Sequence, residues 1–250
     1  MLVLGLAGPA GAGKDTVADY LVRTFGFVKF AFSDALYAEV QAAYGLPDQT
    51  LLRDRETKEV PSQQFALEHC RNLEFEKLAA RNICTSALLP EYVEMPHRAP
   101  LSPRWILQQW GTQFRRAQND YYWLNRAHDF IDRIRDTRYP EHAPQYFVET
   151  GTRFENERKW ICSQGQQAPW EGTIWHIHRD SLVTQDAHES ARSLPVLANE
   201  RELWNNDSID RLYGGIDLLM TTQARFVRVE PMDPIVALKA DGVTLAGKDE

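Results

Sequence analysis

Residues 8 to 16 read "GPAGAGKDT". Gly8, Gly11 and Gly13, with Pro9, Ala10 and Ala12 between them ahead of Lys14, let a backbone wrap closely around phosphate oxygens. Its N–H groups would then open a helix whose positive dipole end favours anions. Lys14 adds a point charge. In the usual GxxxxGK loop a Ser or Thr follows the lysine and its hydroxyl sits on Mg²⁺, whereas this chain has Asp15 there and Thr16 one place late. Thr16 cannot substitute, because one step along a helix turns a side chain by about 100°. Asp15 is either an acidic residue stabilised by the helix dipole, or a carboxylate that holds Mg²⁺ directly or through water.

A second set of polar residues lies on "SPRWILQQWGTQFRR". Ser102 and Pro103 predict a helix start. Ile106, Leu107, Trp110 and Phe114 make an apolar stripe, and Arg104, Gln108, Thr112 and Arg115 make a polar one, at spacings of four, four and three. A solvated face is the plain reading of the polar stripe. Two arginines beside an amide and a hydroxyl also suit a phosphate and a base edge. His176 and His178 share one face of a strand, where a packed strand residue outweighs a metal pair lacking a third ligand. Tyr121, Tyr122 and Trp123 could stack a base but read first as helix packing, and Trp160, Trp170 and Trp175 as core or rim.

These residues need a scaffold. Short β-prone runs at 2 to 7, 27 to 32, 145 to 150, 173 to 178 and, more weakly, 202 to 205 alternate with helical stretches, the pattern of a parallel α/β sheet. The first helix puts Val17, Tyr20, Leu21 and Phe25 on one face and ends at Gly26. Between the second and third runs lie helices expected at 34 to 44, 62 to 82, 103 to 117 and 120 to 136, with a proline-rich loop before Ser102. Residues 223 to 250 have little periodicity; Arg225 to Val229 could add an edge strand.

The chain has 250 residues, 43% hydrophobic and 25% charged, an ordinary soluble composition. A formal charge of −7 gives no global attraction to nucleic acid or an anionic membrane, so a phosphate site must be built locally. The three cysteines, Cys70, Cys84 and Cys162, have neither disulfide nor zinc spacing, and no run is long enough for a membrane span, which together predict a cytoplasmic protein.

Motifs in order along residues 1 to about 215 resemble the phage deoxynucleoside monophosphate kinases of the P-loop kinase superfamily. They are "GKDTVADYL" at 13 to 21, "FSDALYAEV" at 32 to 40, "PRWILQQWGT" at 103 to 112, "DYYW" at 120 to 123, "GTRFENE" at 151 to 157, "DAHES" at 186 to 190 and "NNDSIDRL" at 205 to 212. The resemblance implies a three-layer P-loop fold with a parallel sheet of about five strands. It implies a core at 1–33 and 143–222 with a lid near 180–198, a helical acceptor-binding insertion at 34–142, and a C-terminal extension at 223–250. It implies that the loop, including Asp15 and Thr16, holds ATP and Mg²⁺, with Lys14, Arg153 and Arg179 at the transferring phosphoryl group. Ser33, Asp34, Arg104, Gln108, Thr112, Arg115 and Trp123 would bind the acceptor, and Asp186, His188 and Ser190 would belong to the lid. Three positions depart from the pattern: Gly151 replaces an acidic residue, Glu155 a proline and Ala191 a glutamate. The metal shell would then draw on Asp15 or Glu149.

The implied reaction is ATP + dNMP → ADP + dNDP with nucleotide partners, no membrane and the oligomeric state, homodimer included, left open. Two alternatives remain: a P-loop kinase acting on a hydroxymethylpyrimidine in DNA, and a non-catalytic nucleotide-binding protein.

Overall fold

The computed structural model describes residues 1–85, 90–136, 146–163, 170–182 and 194–222. Asp186, His188, Ser190 and Ala191, the edge strand expected at Arg225 to Val229 and the rest of 223–250 lie outside the described residues. The chain forms two compact units, one of Met1–Phe32 with the described residues from Ala127 onward, the other of Ser33–Arg126.

In the first unit, β1 (Leu2–Ala7), β2 (Val28–Phe30), β3 (Tyr146–Thr152), β4 (Glu171–His178) and β5 (Arg201–Trp204) form one parallel sheet in the order β2-β3-β1-β4-β5. All five expected runs are strands, and the α/β fold is consistent with a P-loop NTPase. Alternation along β1 makes three layers. Leu4 and Leu6 face the cluster containing Val17 and Leu21 of α1 (Lys14–Phe25) and Leu212 and Ile216 of α8 (Ile209–Thr222). Gly5, between them, faces Ile161 of α7 (Glu155–Cys162).

Helix α1 ends as its sequence predicts, at Gly26 in the left-handed region (φ 70°), whose N–H reaches the carbonyls of Leu21 and Val22. Tyr20 stacks on Tyr213 of α8 at 4.1 Å between centroids and donates to Asp217 at 3.0 Å, which ties the two helices together.

The second unit contains α2 (Ser33–Tyr44), α3 (Thr50–Arg53), α4 (Leu73–Thr85) and α5 (Pro103–Gln108); α6 (Tyr122–Asp136) begins in it and ends in the first unit. The helix expected over 62 to 82 is instead two 3₁₀ turns, Gln63–Phe65 and Leu67–His69, followed by α4. Phe65, Ala66 and Leu67 are consecutive and all buried, which no α-helix achieves on a single face. The helix restarts where Asn72 Oδ1 accepts the Phe75 N–H at 2.9 Å.

The helix expected over 103 to 117 starts as read: the Ser102 hydroxyl accepts the Trp105 N–H at 3.2 Å and Pro103 occupies the first turn. From Gln109 to Arg116, however, it is a π-helix, and the Ala117 N–H reaches the Thr112 carbonyl five residues back.

Helix and sheet approach tightly at Gly172 of β4, where an added Cβ would lie 1.7 Å from the Ile161 carbonyl oxygen. Gly172→Ala should therefore push α7 off the sheet and lower the unfolding free energy by about 1–3 kcal/mol, read from the urea midpoint.

Candidate functional site

The order of the sheet places the end of β1 between the ends of β3 and β4, the reversal point at which open parallel sheets present ligand-binding loops. The loop Gly8 to Gly13 leaves β1 there and runs directly into α1. Gly8, Gly11 and Gly13 have φ of 138°, 83° and 104°, which side-chain-bearing residues avoid. Two of these glycines also sit against the strands beyond. A Cβ on Gly8 would meet the Ile177 carbonyl oxygen at 2.3 Å, and one on Gly13 would meet Asn205 Nδ2 at 2.4 Å. Ala10 and Gly11 crown the loop in solvent, while Ala12 is buried beneath it.

Lys14 is buried, and its ammonium folds back over the loop to donate to the carbonyls of Gly8 and Pro9, each at 2.8 Å. Burial, and then the positive charge of Arg153, lower its pKa to about 8. Arg153 leaves the end of β3 with an exposed side chain, and its backbone N–H donates to Glu157 at 2.8 Å. Arg179 follows β4, is exposed, and lies 3.5 Å from the Gly11 carbonyl, at the limit of a hydrogen bond. The described residues thus bring Lys14, Arg153 and Arg179 around one loop in an otherwise acidic chain.

Asp15 is exposed in the first turn of α1 and pairs with Lys29 of β2 at 2.9 Å, and Lys29 equally contacts Asp19 one turn on. These two carboxylates raise the Lys29 pKa against the opposing effect of its burial. The half-buried Thr16 follows in the same turn.

Glu149 differs from its expected role as a metal ligand. Its residue is fully buried in β3, where two β1 steps, Gly5 to Ala7, match three β3 steps, Glu149 to Thr152. That extra residue is a bulge, which re-aims the chain toward Arg153. The Glu149 carboxyl fastens it: Oε1 accepts the Gly151 N–H at 2.8 Å and the Phe32 N–H at 3.4 Å, and Oε2 pairs with the Thr152 hydroxyl at 2.6 Å. Burial, with a contribution from Glu157, raises its pKa to about 8 despite those hydrogen bonds. A buried carboxyl whose oxygens are engaged by the Gly151, Phe32 and Thr152 donors does not fit Mg²⁺, whereas the exposed Asp15 carboxyl suits a hydrated cation. Among the described residues no group of three or more His, Cys, Asp or Glu could hold a metal.

The polar stripe expected on the second unit is divided by the π-helix. Five-residue turns bring Trp110 and Arg115 onto one face, where Glu39 of α2 accepts from Trp110 Nε1 at 2.9 Å, Arg115 Nε at 2.8 Å and the Tyr122 hydroxyl at 2.5 Å. Arg115 therefore braces α2, and its guanidinium lies 4.5 Å from the Phe114 ring centroid. Thr112 is exposed and Gln108 half-buried, while Trp123 is buried with its indole N–H on the Gly111 carbonyl at 3.1 Å.

Arg104 pairs with Glu59 at 2.8 Å, and its backbone N–H donates to the Lys58 carbonyl at 2.9 Å. Here the structure adds residues that sequence reading did not single out. Lys58 Nζ donates to the Tyr37 hydroxyl at 2.8 Å, Arg53 lies 4.1 Å over the Tyr37 ring, and Arg53 pairs with Asp34 at 2.9 Å. Ser33 and Asp34 open α2 beside this group. The single turn of α3 that ends at Arg53 and the segment leading to Lys58 are too short to carry a periodicity that would have marked them; a Tyr37 one helical turn after Asp34 was the available signal.

The histidines are not a metal pair. His176 is buried against Glu200 at 2.7 Å, and Arg158 reaches the same carboxylate at 3.1 Å. His178 pairs with Glu202 at 3.0 Å and stacks on Trp204. Trp175 and Trp170 are buried, Trp170 against Trp160 at 4.7 Å. The three cysteines are free. No helix among the described residues is long and apolar enough to cross a membrane.

The chain is similar to a protein of Acanthamoeba polyphaga mimivirus named "Putative deoxynucleotide monophosphate kinase", with 26% identity over 223 residues that cover 86% of this chain and 94% of that protein. No protein-family model matches the chain.

Because Glu149 holds its proton to about pH 8 when folded but ionises near its ordinary value of 4.5 when unfolded, the folded state binds the extra proton between those limits. Stability from this group is thus full below pH 4.5 and lost as pH rises through about 8. Glu149→Gln should remove that loss, so its melting temperature should fall less than the parent's between pH 5 and pH 8.

Proposed function

We propose that the protein transfers the γ-phosphoryl group of ATP to the phosphate of a deoxynucleoside monophosphate. The observation that carries the reading is the glycine loop on the reversal point of the sheet, with Lys14 capping its carbonyls and the Arg153 charge felt at the Lys14 ammonium. The similarity to a mimivirus protein named as a deoxynucleotide monophosphate kinase supports the same chemistry.

In this reading the loop N–H groups and the start of α1 receive the ATP phosphates, and Lys14 exchanges the Gly8 and Pro9 carbonyls for phosphate oxygens. Triphosphate charge beside Lys14 favours the ammonium, offsetting the burial that lowers its pKa in the free protein. Arg153 and Arg179 neutralise charge on the transferring group and the donor. Mg²⁺ would supply neutralisation of the phosphate charge. Asp15 would hold it through water.

An oxygen of the acceptor phosphate attacks the γ-phosphorus, the bond from that phosphorus to the bridging β–γ oxygen breaks, and ADP carries away the electron pair. The acceptor has a second pKa of about 6 and is mostly a dianion at pH 7, so no general base is required. The buried Glu149 acts through structure, by setting the bulge that precedes Arg153.

For the acceptor we assign the second unit. Tyr37, Arg53, Lys58 and Arg104 gather there with Asp34, giving cations for a phosphate and an aromatic ring for a base. Gln108 and Thr112 complete the polar set.

ADP release should be measured with ATP, Mg²⁺ and a panel of monophosphates, beside DNA containing hydroxymethyluracil. Turnover of at least one deoxynucleoside monophosphate is expected, and turnover of the DNA alone would overturn the reading in favour of a DNA kinase. Lys14→Ala should lower kcat/KM by roughly 100-fold or more, from loss of a charge in the transition state. Asp15→Ser should raise the Mg²⁺ concentration needed for half-maximal rate; an unchanged requirement would leave Asp15 as a helix-start residue only.

A further inference from the structure

Asn205 follows β5 directly and is half-buried. Its backbone N–H donates to the His178 carbonyl, the last residue of β4, at 2.8 Å, and its side-chain Nδ2 donates to the Ala12 carbonyl at 2.8 Å. The residue thus joins the ends of two strands to the phosphate loop. Its amide also occupies the volume that a side chain at position 13 would need, since a Cβ there would come within 2.4 Å of Nδ2. Gly13 and Asn205 form a matched pair.

The hydrogen bond does more than add stability. A trans peptide is planar, with its C=O and N–H on opposite sides. Drawing the Ala12 carbonyl toward Asn205 therefore turns the Gly13 N–H away from Asn205. Gly13 precedes the first helical residue, Lys14, so this N–H belongs to the donor set that a helix start offers an anion. At the other end of the loop, Gly8 rests against the Ile177 carbonyl oxygen. The loop is thereby seated on β4 at one end and on the exit of β5 at the other.

We propose that Asn205 is a positioning residue for the ATP phosphates: its side-chain amide fixes the Ala12–Gly13 peptide so that the Gly13 N–H is preset as a phosphate donor. The inference rests on the reading of the loop as the ATP site, and it adds a residue outside the loop whose task is orientation. Without the clamp that peptide can rotate, and binding must then include the cost of ordering it.

Two variants separate the hydrogen bond from packing. Asn205→Asp keeps the shape but replaces the donor with a carboxylate facing a carbonyl; Asn205→Ala removes the group. ATP and inorganic tripolyphosphate should be titrated calorimetrically into the parent and both variants, with melting temperatures measured in parallel. The expected result is ATP binding by the parent, weakened roughly tenfold in Asn205→Ala and further in Asn205→Asp, with tripolyphosphate following ATP. In turnover, KM for ATP should rise while KM for the acceptor stays at the parent value.

Parent-like affinity for ATP in Asn205→Ala would overturn the clamp and leave the ATP site standing. Loss of ATP affinity with tripolyphosphate affinity retained would also overturn it, because Asn205 would then serve the base or ribose. A parent that binds neither ligand would overturn the ATP reading and the clamp with it. If either variant melts well below the parent, binding is compared at a temperature where both are folded.

Discussion

The carboxyl end of β1 has strands on both sides and no room above the backbone on the β4 side, where Gly8 meets the Ile177 carbonyl. This confinement dictates the conformation of the loop and the partners of its polar groups. A chain leaving the sheet there must turn at once with positive φ, so it needs glycine, and it must satisfy its carbonyls locally. Lys14 supplies two of those hydrogen bonds from within and Asn205 a third from without. The Ala12 N–H is satisfied within the loop as well, by the Pro9 carbonyl at 3.2 Å. A glycine-rich loop is thus the natural product of a buried central strand whose neighbours approach too closely for side chains.

Charge in the first unit is organised by depth. Lys14 is buried and partly relieved of its preference for the charged form, while Arg153 and Arg179 stand in solvent. Burial raises the pKa of the buried acid nearby, Glu149, to about 8, which weakens its opposition to them. Asp15 and Asp19 lie at the surface and share Lys29. A chain of formal charge −7 in this way keeps a local group of cations, with the Asp15 and Asp19 carboxyls engaged by Lys29.

The sequence displayed the sheet because parallel strands buried on both faces are short and apolar, and every run so marked became a strand. The loop was legible for a related reason: its glycines and lysine are adjacent in the chain. Glu149 was not, because its role depends on a bulge, and a bulge is a mismatch between two strands that neither strand displays alone. The phase of Arg115 was not legible for a similar reason. A stripe drawn with α-helical spacing assumes one hydrogen-bonding pattern throughout, whereas Glu39, 76 residues away in sequence, draws Trp110 and Arg115 onto one face. Arg53 and Lys58 carry no periodic signal, since tertiary contact with Tyr37 is all that groups them.

The π-helix from Gln109 to Arg116 has a consequence for the helix that contains it. A straight α-helix is a rigid shaft: the angular phase at one end dictates the phase at the other. Here the first half takes its phase from the Ser102 cap and the second half from the Glu39 carboxylate, with wider turns absorbing the difference between them. Arg104 and Arg115 are consequently set to separate references although one helix carries both. The angular offset between the two arginines is therefore the one the wider turns impose, not the one α-helical spacing would give.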